Sequence, residues 1–167
     1  TKFSIIDVSW LDAPNLRQYA FKEHEGSYIV GVAAAKASKT GKVGFVGGMD
    51  IGLIRRFACG YVGGVKSINA SAEVYQNMTG TTPAAWNDPA KGAELTQSQI
   101  DRGADVVYHA AGGTGAGVIQ AAADAGKLAI GVDSNQNGMA PGSVLTSMLK
   151  RVDVAAYEPF MDVKNGN

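Results

Sequence analysis

The sequence predicts an α/β fold in which helices flank a parallel sheet, a Rossmann-like arrangement. Short apolar runs typical of strands alternate along the chain with segments of ten or more residues at helical spacing. Glycines mark many of the junctions, and 22 of the 167 residues are glycine without a collagen-like period. Hydrophobic residues make up 46% of the chain, which is enough for one domain with a packed core. Alternation of this kind builds βα units on a parallel sheet.

Seven strands are predicted, because seven short apolar runs are bounded by glycine or polar residues. They cover residues 3–7, 17–21, 41–48, 72–79, 104–110, 127–133 and 143–149. Five helices are predicted between and after them, over residues 23–38, 51–66, 89–102, 114–125 and 151–163. The third has the clearest boundaries, because Asp88 is a typical N-cap, Pro89 suits the first helical position and Gly103 suits the end.

The charge balance argues against polyanionic partners. Lysine and arginine equal aspartate and glutamate at 15 each, so no net field favours nucleic acid or anionic lipid. No stretch approaches the roughly 20 apolar residues that cross a bilayer. The chain begins on "TKFSIID" without a signal peptide or initiator methionine, so we expect a processed product or a piece of a longer molecule. Cys59 excludes an internal disulfide and is expected to be a small buried residue.

The stretch "HAAGGTGAGV" (109–118) places glycines between a strand and a helix, where a ligand or another backbone comes close. A dinucleotide fingerprint is one interpretation, since Asp133 lies 18 residues after Gly115, near the usual offset of a ribose-binding carboxylate. However, Gly113, Gly115 and Gly117 place the third glycine one position too early. No glycine–lysine–serine or –threonine run marks a P-loop. A nucleotide-dependent enzyme is therefore disfavoured.

Catalytic and metal-binding patterns are not found in the sequence. It has neither a G-x-S-x-G elbow nor an H-E-x-x-H motif. His24 lies between two glutamates and is expected to be solvated. His109 is expected to be packed or hydrogen-bonded, with its side chain on the opposite face of the strand from Tyr108. We therefore predict no catalytic residues, no metal and no cofactor.

A ligand-binding edge is the remaining hypothesis, because ligands of parallel sheets lie beyond the carboxyl ends of the strands. Tyr108 offers an aromatic face for a flat ring, and the amides of residues 112–115 are at a helix start. Asp7 and Asp133 follow strands and suit the paired hydroxyls of a vicinal diol. The alternative is structural: the aspartates cap helices, and the glycines only let helix and sheet pack closely. From the residues alone the two interpretations are about equal.

Several segments, taken together, resemble the basic membrane protein family of ABC-transporter substrate-binding lipoproteins, the group that contains the purine nucleoside receptor. They are "FKEHEGSYIVGVAAAKASKTGKVGFVGGMD", "FACGYVGGVK", "WNDPAKG", "GADVVYHAAGGTGAGV", "GVDSNQ" and "VLTSMLKRVDVAAY", in that order. The resemblance runs from Phe3 to about Tyr157. It implies a type I periplasmic-binding-protein fold with two α/β lobes that enclose a small solute.

The resemblance also implies site residues. Tyr108 stands where the family has an aromatic that stacks on the purine, and Gly113 would contact the ligand through its backbone. Asp133 would accept the ribose hydroxyls. Asp7 and Lys150 would contact polar groups of the base or ribose.

The same resemblance implies a domain organisation. Residues 1–10 would be the last strand of an otherwise missing first lobe, residues 11–140 the second ligand-binding lobe, and residues 141–167 the crossover back. The full-length protein would then be a periplasmic or cell-surface lipoprotein. It would be anchored to the membrane through a lipid outside this chain and would serve ABC permease subunits. A ligand-sensing domain of a regulator with the same fold is the alternative.

Overall fold

The computed structural model describes residues 1–166 and contains all the predicted strands and α-helices. The strands are β1 (Phe3–Ile6), β2 (Leu16–Tyr19), β3 (Lys42–Met49), β4 (Glu73–Gly80), β5 (Val106–Ala110), β6 (Leu128–Asp133) and β7 (Val144–Leu149). The α-helices are α1 (Glu23–Ala37), α2 (Gly52–Ile68), α3 (Pro89–Asp101), α4 (Gly115–Asp124) and α5 (Val152–Lys164). Three short 3-10 turns, which the sequence did not predict, cover Pro83–Trp86, Gly112–Thr114 and Asn137–Met139.

The chain forms two compact units. The central unit is Glu23–Leu149, and the terminal unit combines Thr1–Lys22 with the residues from Lys150 onward. The predicted boundaries after residues 10 and 140 differ from these, because β2 belongs to the same unit as β1 and β7 belongs to the central unit. The assignment of the segments to two lobes stays a prediction.

The central unit is built on a five-stranded parallel sheet of order β4-β3-β5-β6-β7. This confirms the predicted α/β class. From β3 the chain passes first to β4 on one side of it and then to β5 on its other side. The direction in which strands are added to the sheet therefore reverses between β3 and β5. Ligands of open α/β sheets bind at the carboxyl ends of strands flanking such a reversal.

Helices cover both faces of this sheet. On one face, α1 and α2 pack on a core that includes Phe45, Tyr61 and Tyr108. On the other face, α3 and α4 pack together over a smaller cluster that includes Val107 and Val118. Because side chains alternate along a strand, Tyr108 and His109 of β5 face opposite layers, as predicted.

The α1–α2 contact depends on glycine. A Cβ at Gly64 would lie 2.0 Å from the carbonyl oxygen of Tyr28, and one at Gly60 would lie 2.2 Å from that of His24. Both distances are far below van der Waals contact, so the two helix backbones touch directly at these positions. Predicted apolar positions of α2, Ile54 and Tyr61 among them, are buried on its inner face.

One further sequence prediction concerns Cys59. Cys59 is exposed on α2, so the prediction that it is buried is wrong. The helical face that buries Ala58 and Gly60 leaves position 59 outside. Among residues 1–166, no helix combines the length and the apolar character needed to cross a membrane.

The terminal unit is smaller. Its strands β1 and β2 form a parallel pair in which Phe3 lies opposite Leu16 and Ile6 opposite Tyr19. Helix α5 packs against β1. The guanidinium of Arg17 on β2 pairs with the carboxylate of Asp162 on α5.

Candidate functional site

The glycine-rich turn after β5 divides into two parts with different roles. A Cβ at Gly115 would lie 2.0 Å from the His109 ring, and one at Gly117 would lie 1.8 Å from the carbonyl oxygen of Pro89. Gly115 and Gly117 therefore allow close packing inside the protein, which a side chain at either position would prevent. Gly112 and Gly113, by contrast, are exposed, and Gly112 has a φ of +56°. The structural interpretation of the motif therefore applies to Gly115 and Gly117, and the ligand-binding interpretation applies to Gly112 and Gly113.

Trp86 lies beside the exposed glycines. It closes the 3-10 turn after β4, and its carbonyl oxygen would be 3.2 Å from a Cβ placed at Gly112. Its ring packs against Gly48 near the end of β3, where a Cβ would approach the ring to 2.3 Å. Trp86 is partly buried. The indole therefore lies at the topological reversal of the sheet, with some of its surface accessible.

Trp86 is not one of the site residues that the sequence predicts. The predicted residues lie in or after other strands, and none lies in the connection after β4. The signal was present: "WNDPAKG" follows a strand and precedes the Asp88–Pro89 helix start, so its aromatic residue falls at the carboxyl edge. The N-cap prediction itself is confirmed, because Asp88 Oδ1 accepts a hydrogen bond from the Lys91 amide at 2.9 Å.

Tyr108 does not line this edge. Its side chain is fully buried, its ring centroid lies 5.2 Å from that of Tyr61 and 5.6 Å from that of Phe45, and its hydroxyl lies 3.3 Å from Ser27 Oγ. Burial raises the pKa of the Tyr108 phenol. Alternation along β5 turns position 108 toward α1 and α2, so in this structure the Tyr108 ring is packed in the core and is not exposed at the edge.

Asp133 ends β6 at the same edge and is exposed. Its φ is +65°, and within residues 1–166 it shares a positive φ with one other non-glycine residue, Asp7. A left-handed aspartate costs of order 1 kcal/mol and persists where neighbouring contacts fix the turn. Strained backbone conformations of this kind cluster at functional sites.

A partly buried network fixes the Asp133 turn. The Val132 amide donates to Gln136 Oε1 at 2.8 Å, and the Gln136 amide donates to Ser147 Oγ at 3.0 Å. His109 Nε2 lies 2.9 Å from the same Gln136 oxygen. An amide oxygen can only accept, so His109 Nε2 is the donor, and the neutral ring is the Nε2–H tautomer.

His109 is therefore a structural residue, which confirms the expectation of a hydrogen-bonded histidine. Its side chain is completely buried, and burial lowers its pKa to about 4. It stays neutral at physiological pH and donates to Gln136. Its contribution to the edge is indirect: it holds the loop that carries Asp133.

Asp7 and Lys150, the two predicted site residues of the terminal unit, lie together. Lys150 Nζ is 2.5 Å from Asp7 Oδ1, and the Lys150 side chain is only 7% exposed. The ammonium also lies 5.0 Å from the centroid of the Phe21 ring. The ion pair compensates the charge of Asp7, which has a φ of +66° after β1. Their role in ligand binding stays a prediction.

Acidic, histidine and cysteine side chains do not assemble into a metal-binding group anywhere in residues 1–166. The edge instead offers an aromatic surface at Trp86, backbone at Gly112 and Gly113, and the carboxylate of Asp133. Such a set can bind a flat polar solute through stacking and hydrogen bonds.

Comparison with known proteins identifies the family. The Bmp family, described as "ABC transporter substrate-binding protein PnrA-like", matches residues 1–167. The chain belongs to this family. It is 36% identical to the ABC transporter nucleoside-binding protein BmpA of Lactococcus lactis, over 99% of this chain and 51% of that protein. It is 35% identical to basic membrane protein A of Borreliella afzelii, over 90% of this chain and 47% of that protein.

Several solved structures are similar to this chain along nearly its whole length. A solute-binding protein of an ABC transporter system from Aeropyrum pernix matches with a TM-score of 0.89 and 33% identity, over 99% of this chain and 48% of that chain. A transcriptional activator of the comK gene from Bacillus halodurans matches with a TM-score of 0.85 and 26% identity, over 99% of this chain and 55% of that chain. A periplasmic solute-binding protein from Actinobacillus succinogenes with bound D-allose, 17% identical with a TM-score of 0.69 over 97% of this chain and 63% of that chain, shares the fold. The Bmp chain spans about half the length of the curated relatives it matches.

Proposed function

We propose that the chain is part of the solute-binding component of an ABC importer and that its central unit forms one wall of a pocket for a purine nucleoside or a similar solute. The observation that carries this is the edge itself: Trp86, the exposed Gly112–Gly113 backbone and Asp133 at the carboxyl ends of the parallel strands. A solute that is bound and released needs recognition groups and no reacting group.

Each group has a defined role in this proposal. The indole of Trp86 stacks on the purine, the role that the family resemblance implies for Tyr108. The Gly113 backbone contacts a polar atom of the ligand. Asp133 accepts both ribose hydroxyls, a charge-assisted pair of hydrogen bonds that a free base lacks.

The proposed partners and location follow from family membership. The family is one of ABC-transporter substrate-binding proteins, so permease subunits are the proposed partners of the full-length protein. We place that protein on the outer side of the membrane, anchored by a lipid outside this chain. Asp133 and Trp86 would then capture solute for the permease.

A ligand-sensing domain of a regulator is the second candidate. It is supported by the resemblance to the comK transcriptional activator of Bacillus halodurans, which is 26% identical. Cell fractionation of the source organism separates the two. Lipidated protein in the membrane fraction supports the importer component, and protein that co-purifies with DNA supports the regulator.

The ligand role is tested by titrating isotope-labelled chain with inosine and, separately, with hypoxanthine. One wall leaves a ligand face in water, so we expect weak binding by this chain. Inosine should shift the amide signals of Gly112 and Gly113 and the indole signal of Trp86. Asp133→Asn should weaken inosine binding about tenfold or more and leave hypoxanthine binding unchanged. Asparagine also tolerates the left-handed conformation, so the turn is kept.

Asp124→Asn is the matched control. Asp124 is an exposed aspartate at the end of α4, on the opposite edge of the sheet, and bonds only to Gln120 in its own helix among the hydrogen bonds of the described residues. It should leave both affinities unchanged. Equal losses for inosine and hypoxanthine in the Asp133 variant, or signal shifts confined to other surfaces, would contradict the proposal.

A further inference from the structure

The hydroxyl of Thr114 makes two hydrogen bonds outside its own helix. Thr114 follows the exposed glycines and precedes α4, a position at which a threonine normally caps the helix. It makes no cap hydrogen bond to α4. Instead, Oγ1 donates to the Ala85 carbonyl oxygen at 2.8 Å and accepts from the Asp88 amide at 2.8 Å.

These two partners enclose a dipeptide. Ala85 immediately precedes Trp86, and Asp88 immediately follows Asn87, so one hydroxyl holds the backbone on both sides of Trp86–Asn87. Thr114 is fully buried. Its two bonds are therefore shielded from water, and removal of the hydroxyl leaves a buried carbonyl oxygen at Ala85 without that partner.

Packing around Thr114 reinforces the connection. A Cβ at Gly92, in the first turn of α3, would lie 2.4 Å from the Thr114 carbonyl oxygen and 3.0 Å from its methyl carbon. The start of α3 thus rests directly on Thr114. The loop before α3 carries Trp86, and the turn before Thr114 carries Gly112 and Gly113.

We propose that Thr114 is the positioning residue of the binding edge: its hydroxyl fixes the spacing between the Trp86 ring and the exposed Gly112–Gly113 backbone. This proposal rests on the proposed function for its effect on ligand affinity, but its structural part does not. A ligand that stacks on Trp86 while bonding to Gly113 needs that spacing to be set before it binds. Pre-set geometry lowers the entropy lost on binding.

The experiment compares Thr114→Val with Thr114→Ser. Valine keeps the shape and removes both hydrogen bonds, whereas serine keeps the hydroxyl. Trp86 is made the single tryptophan by Trp10→Phe in every variant, since the chain contains two tryptophans. We expect Thr114→Val to increase acrylamide quenching and the fast motion of Trp86 seen by fluorescence anisotropy, and to weaken inosine binding about tenfold. Thr114→Ser should leave the Trp86 fluorescence and the inosine affinity as they are in the chain with Thr114.

Thr96→Val is the matched control for a lost buried hydroxyl. Thr96 is fully buried in α3 and donates to the Gly92 carbonyl oxygen at 2.8 Å within that helix. It should lower stability without changing Trp86 quenching. If the two valine variants change Trp86 quenching equally, the positioning role of Thr114 is refuted.

Hydrogen exchange on the unmodified protein gives a test that does not depend on variant folding. The Asp88 amide donates to the buried Thr114 hydroxyl, so it should exchange slowly although Asp88 is exposed. Exchange at the rate of an open loop would overturn the proposal. Failure of inosine to bind the unmodified chain would count against the proposed function, whereas the quenching and exchange results would still decide the role of Thr114.

Discussion

The two units bury their aromatic residues very differently. In the central unit, Phe45, Tyr61 and Tyr108 are fully buried between the sheet and the pair α1 and α2. In the terminal unit, Trp10 and Phe160 are 75% and 77% exposed. Its two-stranded sheet and single helix surround an open, mainly apolar groove of about 560 Å³.

The difference indicates where the stability of this chain resides. A five-stranded sheet covered on both faces has a core of its own, whereas a two-stranded sheet is marginal without further packing. One left-handed aspartate, Asp133, lies in the central unit, and the other, Asp7, lies in the terminal unit. The loop that follows Asp133 is bonded to the buried His109, and Asp7 is paired with the largely buried Lys150. The binding edge therefore rests on the more stable unit.

Truncation of an aromatic side chain should show the largest difference in stability effect between the two units. Tyr108→Ala removes a fully buried ring and should lower the free energy of unfolding by about 3–5 kcal/mol. Phe160→Ala, on the exposed ring, should change it by less than about 0.5 kcal/mol. Urea unfolding of the whole chain, followed by far-UV circular dichroism, measures both. Similar losses in the two variants would show that the terminal unit is as well packed as the central one.

Glycine substitution sharpens the comparison within the central unit. Gly64→Ala places a Cβ 2.0 Å from the Tyr28 carbonyl oxygen and should cost about 1–3 kcal/mol, because α1 and α2 must separate. Gly52→Ala, at the open start of α2 with nothing within 4 Å of the new Cβ, is the control. It should be neutral or slightly stabilising, since alanine favours the helix. A stable Gly64 variant would mean that the helix contact tolerates adjustment.

Acidification should weaken the central unit through His109. The folded state holds its pKa near 4, below the ordinary value of 6.5, so the unfolded chain binds the proton more readily. This contribution is complete above pH 6.5 and is lost as the pH falls toward 4. Between pH 7.5 and 5.5 we expect a loss of about 1 kcal/mol in unfolding free energy.

Urea titrations at the two pH values measure this loss, with His109→Gln as the comparison variant. That variant should lose most of the pH dependence over this interval, whereas His24→Gln, at the exposed second histidine, should keep it. A pH dependence carried by His24 would contradict the assignment of His109 as the buried neutral histidine.

Sequence periodicity predicted the sheet and helices well, because the elements differ clearly in spacing and the third helix carries Asp88 and Gly103 as signals at its ends. Site prediction was less complete for a physical reason. Alternation places Tyr108 and His109 on opposite faces but does not say which helices cover each face. The role of Trp86 depends on contacts between loops, through Gly48 and Gly112, that are distant in sequence.

Contacts between inosine and the aromatic protons of the chain test the central claim most directly. Intermolecular nuclear Overhauser effects should join the purine H2 or H8 protons to the indole ring of Trp86, with Tyr108 showing none. That result would place the ligand at the carboxyl edge of the central unit. Contacts to Tyr108, or contacts only to Phe160 and the groove of the terminal unit, would contradict the account.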